Sequence, residues 1–134
     1  MAILYVARSA KLSRWAFEVG FGKHVYKIGV GEEAPKARAA AGWAGESDWT
    51  IVRQQRVEDL SEAEALARLG RKEKAIDPKL YPKLKGAAGV FRLSAERVEN
   101  HILVKRALAG ESDRLQLKLK PTDFADYLIA NALR

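Results

Sequence analysis

Ile3-Leu4-Tyr5-Val6 and Val25-Tyr26-Lys27-Ile28-Gly29-Val30, followed by Pro35-Lys36-Ala37-Arg38, decide how this chain folds. Residues 2–8 alternate as a strand does, with Ile3, Tyr5 and Ala7 on one face and Leu4 and Val6 on the other. In residues 25–30, Tyr26, Ile28 and Val30 form an apolar face, while Val25, Lys27 and Gly29 share the opposite one. With the apolar face inward, Tyr5 and Lys27 emerge together on the other side, as a cleft requires. Tyr26 then fills the core with its hydroxyl at the rim.

Working outward, Ser9 to His24 is too long for a tight hairpin and has room for a short helix around Leu12 to Val19, ended by Gly20 and Gly22. Pro35 suits the first turn of a helix that Gly42 stops, and Gly31 and Gly42 read as turn glycines. Asp48 to Val57 reads as a third strand, with Trp43 and Trp49 packing to close the turn before it. Ser61 and Glu64 form a capping box, opening a helix that turns Ala63, Leu66, Ala67 and Leu69 to the core. A loop through Asp77-Pro78 and Tyr81-Pro82 leads to a short strand, Gly89 to Leu93, and Ser94 caps a helix to about Ala109. Leu115, Leu117 and Leu119 alternate as a last strand, and Pro121 begins a last helix carrying Phe124, Leu128 and Ala132. The order predicts a mixed α/β (α+β) fold, a small, mostly antiparallel sheet flanked by helices, with an extra C-terminal strand and helix.

The chain has 134 residues, 48% of them hydrophobic, enough for one domain with a single core. Cysteine is absent, so disulfides and thiolate zinc sites are excluded, and two histidines are too few for a His-rich metal cage. No apolar run has the length of a membrane span, so a cytoplasmic protein with no membrane partner is expected. The formal net charge of +7 is uneven: +4 over residues 1–40, −4 over 41–64, +6 over 65–92 and +1 over 93–134. Two basic blocks of this kind suit a polyanion held by salt-sensitive phosphate contacts. Arg8, Arg14, Lys23 and His24 in the first block and Arg71 and Lys72 in the second are the candidate nucleic-acid contacts, with Trp15 beside Arg14 as a stacking ring.

The paired strands and the arginine-bearing helix resemble the opening of the GIY-YIG nucleases, in a phage-related branch whose second motif carries lysine. Ile3-Leu4-Tyr5 matches the first motif and Lys27-Ile28-Gly29 the second; Arg38 matches the family arginine at a spacing one residue longer than usual. The resemblance spans residues 1–108, with 109–134 as a strand-helix extension packed on the same domain. It implies three catalytic roles. Tyr5 helps to activate water, Lys27 favours the Tyr5 phenolate and contacts phosphate, and Arg38 binds and polarises the scissile phosphate.

It also implies one Mg or Mn ion held by a glutamate, but the matching stretch reads Gly89-Val90-Phe91, which leaves the metal ligand unassigned and Glu96 and Glu99 as the nearest carboxylates. Ala39-Ala40-Ala41 stands where the family has a histidine, and His24 is the substitute to examine; His101 reads as a packing or solvent-facing residue. Two functions are therefore expected. One is a metal-dependent endonuclease acting on DNA ahead of RNA; the other is a catalytically inactive relative that binds nucleic acid. A protein-interaction domain using the Leu115 to Lys120 strand at a sheet edge is a third.

Overall fold

The computed structural model describes residues 2–110 and 119–133. Among the described residues five strands form one sheet in the order β3-β1-β2-β5-β4, every pairing antiparallel, so the fold is α+β as expected. The strands are β1 (Ala2–Ser9), β2 (Val25–Gly31), β3 (Trp49–Val57), β4 (Lys74–Ala75) and β5 (Val90–Arg92). The helices are α1 (Ala10–Glu18), α2 (Pro35–Ala41), α3 (Glu62–Gly70), α4 (Ala95–Leu108) and α5 (Pro121–Ala132). Of the expected C-terminal strand, residues 115–118 lie outside the described residues.

The register of β1 on β2 sets Tyr5 opposite Gly29, Ile3 opposite Gly31 and Ala7 opposite Lys27. Both faces of this ladder are covered. On one, Leu4, Val6, Tyr26, Ile28 and Val30 pack against Ala65 and Leu69 of α3, Val98 of α4, and Phe124 and Leu128 of α5. On the other, Tyr5, Ala7 and Val25 pack with Leu12 and Ala16 of α1, Ala39 of α2 and Trp49. The alternation was read correctly, but the Tyr5 face is a second core rather than an open surface.

The helix starts carry their own logic. The Ser9 hydroxyl accepts from Leu12 N–H (3.1 Å) and donates to Asp48, whose other oxygen accepts from Lys11 N–H (3.0 Å), fixing α1 directly at the end of β1. Ser61 accepts from Glu64 N–H (3.1 Å), as its capping role requires, though the Glu64 carboxylate returns to the Ser61 hydroxyl (3.2 Å) rather than to its backbone. Two expectations need correction. Ala63 and Ala67 are exposed, because α3 presents Ala65 and Leu69, one turn apart, to the sheet. Ser94 sits at the start of α4 but makes no side-chain cap.

The buried Glu73, just after α3, joins three helices: it accepts from Tyr127 Oη of α5 (2.6 Å) and pairs with Arg97 of α4 (3.2 Å). α5 also contributes Phe124, Ala125, Leu128, Ile129 and Ala132 to the core, so the C-terminal helix is part of the domain's packing.

Candidate active site and cationic groove

β2 places Lys27, Gly29 and Gly31 in a row on one face, and the two glycines leave bare backbone where side chains would stand. A Cβ at Gly29 would run into Tyr5 Oη, with Tyr5 Cζ at 2.6 Å and Glu62 Oε1 at 2.8 Å, and one at Gly31 would lie 2.6 Å from Arg38 Nη1. Gly31 has no positive φ, so its role is this close approach rather than the turn read from sequence; Gly42, at φ 84°, does end α2.

Over that bare strand, four side chains converge. Tyr5 comes from β1, its ring stacked on Trp43 at 5.6 Å and 16°. Lys27 Nζ lies 5.8 Å from the Tyr5 ring centroid and 5.3 Å from that of Trp43, and the Arg38 guanidinium carbon lies 5.6 Å from the Tyr5 centroid. Glu62 enters from the first turn of α3 and accepts the Val30 N–H (3.3 Å), where β2 has run past its pairing with β5.

The polar groups are under-satisfied. Tyr5 is 1% exposed and its hydroxyl has no hydrogen-bond partner among the described residues. Lys27 is 4% exposed and, among the described residues, donates only to its neighbour's carbonyl, Ile28 O, at 3.2 Å. Among the described residues, the Arg38 guanidinium has neither an ion pair nor a hydrogen bond. A buried hydroxyl left as that of Tyr5 is costs about 1–3 kcal/mol, a cost that a bound polar ligand would relieve.

Burial sets the protonation states. It raises the Tyr5 phenol to about 12, with Arg38 opposing and Glu62 adding to the rise. It lowers Lys27 to about 8, with Glu62 opposing and Arg38 adding. The expected Tyr5 phenolate is thus corrected: at neutral pH the phenol keeps its proton, and the amine is the group that titrates nearby.

Glu62 is the residue that sequence reading missed. Its Oε1 accepts the one weak backbone contact and lies on the Gly29 side near the Tyr5 hydroxyl, and its second oxygen has no hydrogen-bond partner among the described residues. Among the described residues no three His, Cys, Asp or Glu side chains cluster as a metal cage. One hard oxygen donor completed by water and phosphate does fit a magnesium-type ion, which takes few protein ligands. Glu96 and Glu99 are exposed on α4, whose buried Val98 joins the opposite core, so they do not belong to this site.

The other candidates divide. Arg8, Arg14, Lys23 and His24 come together in a groove between α1 and the start of α5, on the Tyr26 side of the sheet. His24 stacks on Phe124 there (4.4 Å, 18°) and so does not stand in for a histidine beside Arg38. Trp15 packs edge-on to Phe21 and Tyr81, and His101 edge-on to Tyr127. Arg71 is exposed at the end of α3, and Lys72 donates to Asn131 O (3.1 Å). Trp43 and Trp49 do close the turn before β3, through Trp49 Nε1 donating to Trp43 O (2.9 Å).

No protein-family model, curated protein or solved structure matches the chain. No helix among the described residues is long and apolar enough to cross a membrane.

Proposed function

We propose that this protein processes nucleic acid as a GIY-YIG-type, divalent-metal-dependent endonuclease, with DNA ahead of RNA as substrate. The observation that carries the reading is the orphaned Tyr5 hydroxyl held with the unpaired Arg38 guanidinium, Lys27 and Glu62 over Gly29 and Gly31. Arg38 would grip two non-bridging oxygens of one phosphate, which its planar fork suits. The Tyr5 hydroxyl would hold the attacking water. Lys27, whose pKa burial lowers to about 8, would in its neutral form accept the water's proton. The water oxygen bonds to phosphorus, the bond to the leaving oxygen breaks, and the leaving oxygen is protonated from solvent. Glu62 would hold the Mg or Mn ion, whose contribution when bound is to stabilise charge on the leaving oxygen.

The test is plasmid nicking with magnesium, manganese or chelator, beside Tyr5→Phe, Arg38→Ala and Glu62→Gln. Metal-dependent nicking that falls about 10²-fold or more in each variant is expected; equal nicking by all four proteins would remove the assignment. A second reading, a catalytically inactive nucleic-acid-binding module, is favoured by the burial of Tyr5 and Lys27 to 1% and 4% exposure, which closes the resting site to solvent. Its mark is binding that weakens steeply with salt, without cleavage under any metal condition.

A further inference from the structure

A second set of polar groups faces a different space. The groove between α1 and the start of α5 has a volume of about 620 Å³, within the range of small-ligand sites. Three cations line it: Arg8 from the end of β1, Arg14 from α1, and Lys23 from the turn before β2. All three are exposed, and none has an ion-pair partner among the described residues. Ser13, only 7% exposed, also lines the groove, and its hydroxyl has no hydrogen-bond partner among the described residues. Phe17 stands on the same wall one turn further along α1, yet is 66% exposed, an apolar ring left in water beside cations.

We propose that this groove is a binding site for a nucleotide phosphomonoester. Arg8, Arg14 and Lys23 neutralise the phosphate, the Ser13 hydroxyl donates to it, and the base stacks on the open face of Phe17. Two charges near neutral pH distinguish a phosphomonoester from the single charge of a backbone phosphodiester, and three converging cations match the former. Asp123 is turned to the Lys120 N–H (2.8 Å), and Asp48, which shares a neighbouring cleft with Arg8, is held by the Ser9 hydroxyl and the Lys11 N–H, so neither carboxylate ion-pairs with the three cations. The local field agrees: burial, then Lys23 and Arg8, hold the His24 imidazolium below its ordinary pKa. The aromatic floor is firm, with Phe124 stacked between His24 (4.4 Å) and Tyr26 (5.4 Å). The site lies on the opposite face of the β1–β2 ladder from Tyr5, so it stands whether or not the Tyr5 site cleaves anything.

The phosphate could belong to a free nucleotide or to a strand end, and the experiment separates them. Fluorescein-labelled ten-nucleotide single strands with a 5′-phosphate, a 3′-phosphate or hydroxyls only are titrated by anisotropy without metal. Adenosine 5′-monophosphate, adenosine and inorganic phosphate serve as competitors. A phosphorylated strand is expected to bind at least about tenfold tighter than the hydroxyl strand, a difference of about 1.4 kcal/mol. That preference should vanish in Arg14→Ala/Lys23→Ala, weaken about fivefold or more in Phe17→Ala, and persist in Arg38→Ala. Competition by the mononucleotide well below the concentration at which inorganic phosphate competes assigns the site to free nucleotides, and its failure assigns it to strand ends. Equal binding of all three strands together with no competition by the mononucleotide, or a preference that survives Arg14→Ala/Lys23→Ala, overturns the proposal.

Discussion

Tyr5 is a costly residue for a core. Its ring is well packed, but its hydroxyl is buried without a partner among the described residues and its pKa is pushed up to about 12. Removing that oxygen should help the fold. Tyr5→Phe is expected to raise stability by about 1 kcal/mol, read from the urea midpoint, while nicking is lost. A loss of stability instead would mean that the hydroxyl is satisfied in solution. That Tyr5 and Lys27 share a face was legible because strand alternation sets it, though not that the face is buried, and Arg38 was singled out by resemblance alone. Glu62 was not, because it reaches Val30 from 32 residues downstream, across the unpaired edge of β2. Alternation along a strand carries no information about what arrives at its edge.

At the level of elements, the start of α3 matters most, since the same turn is capped by Ser61 and carries Glu62. Ser61→Ala should cost about 1 kcal/mol of stability. It should also weaken metal dependence, seen as a higher magnesium concentration for half-maximal nicking; a stability loss with an unchanged magnesium midpoint would separate the cap from the site. Gly29 is the complementary case. Its Cβ would meet the rigid Tyr5 ring as well as Glu62, so Gly29→Ala should destabilise by about 1–3 kcal/mol and abolish nicking, checked by urea unfolding and the plasmid assay. Both outcomes follow from geometry that the sequence announced only in part. The Ser61-x-x-Glu64 spacing predicts the cap, whereas the role of Gly29 depends on Tyr5 lying directly opposite it, a matter of register. β4, two residues long, is too short for any periodicity to reveal.

For the whole molecule, the sheet's two buried faces link stability to pH. The folded pKa of Lys27 lies at about 8, below the ordinary 10.5, so between these values the unfolded chain holds more protons. Its contribution to stability is therefore least favourable below about pH 8 and improves as pH rises toward 10.5. Lys27→Met should be more stable than the parent at pH 7 by about 1–3 kcal/mol, with the gap closing as pH rises; a gap constant from pH 7 to 10 would mean that the amine is hydrated in the folded state. Above pH 10 the raised phenols of Tyr5, Tyr26 and Tyr127 act in the opposite sense, so the comparison must be made between variants rather than along one curve.

The bare stretch of β2 beneath Tyr5 and Arg38 has a further meaning for how this protein could change over time. A floor made of peptide backbone has no side chain to exchange, and each substitution open to Gly29 or Gly31 adds atoms to occupied space. Such a floor can be filled but not retuned. Variation in what this end of the sheet accepts must then arise in the roof, from α2, Trp43 and the first turn of α3. Divergent copies of the chain that keep both glycines would retain the room for the chemistry, whatever else they had altered.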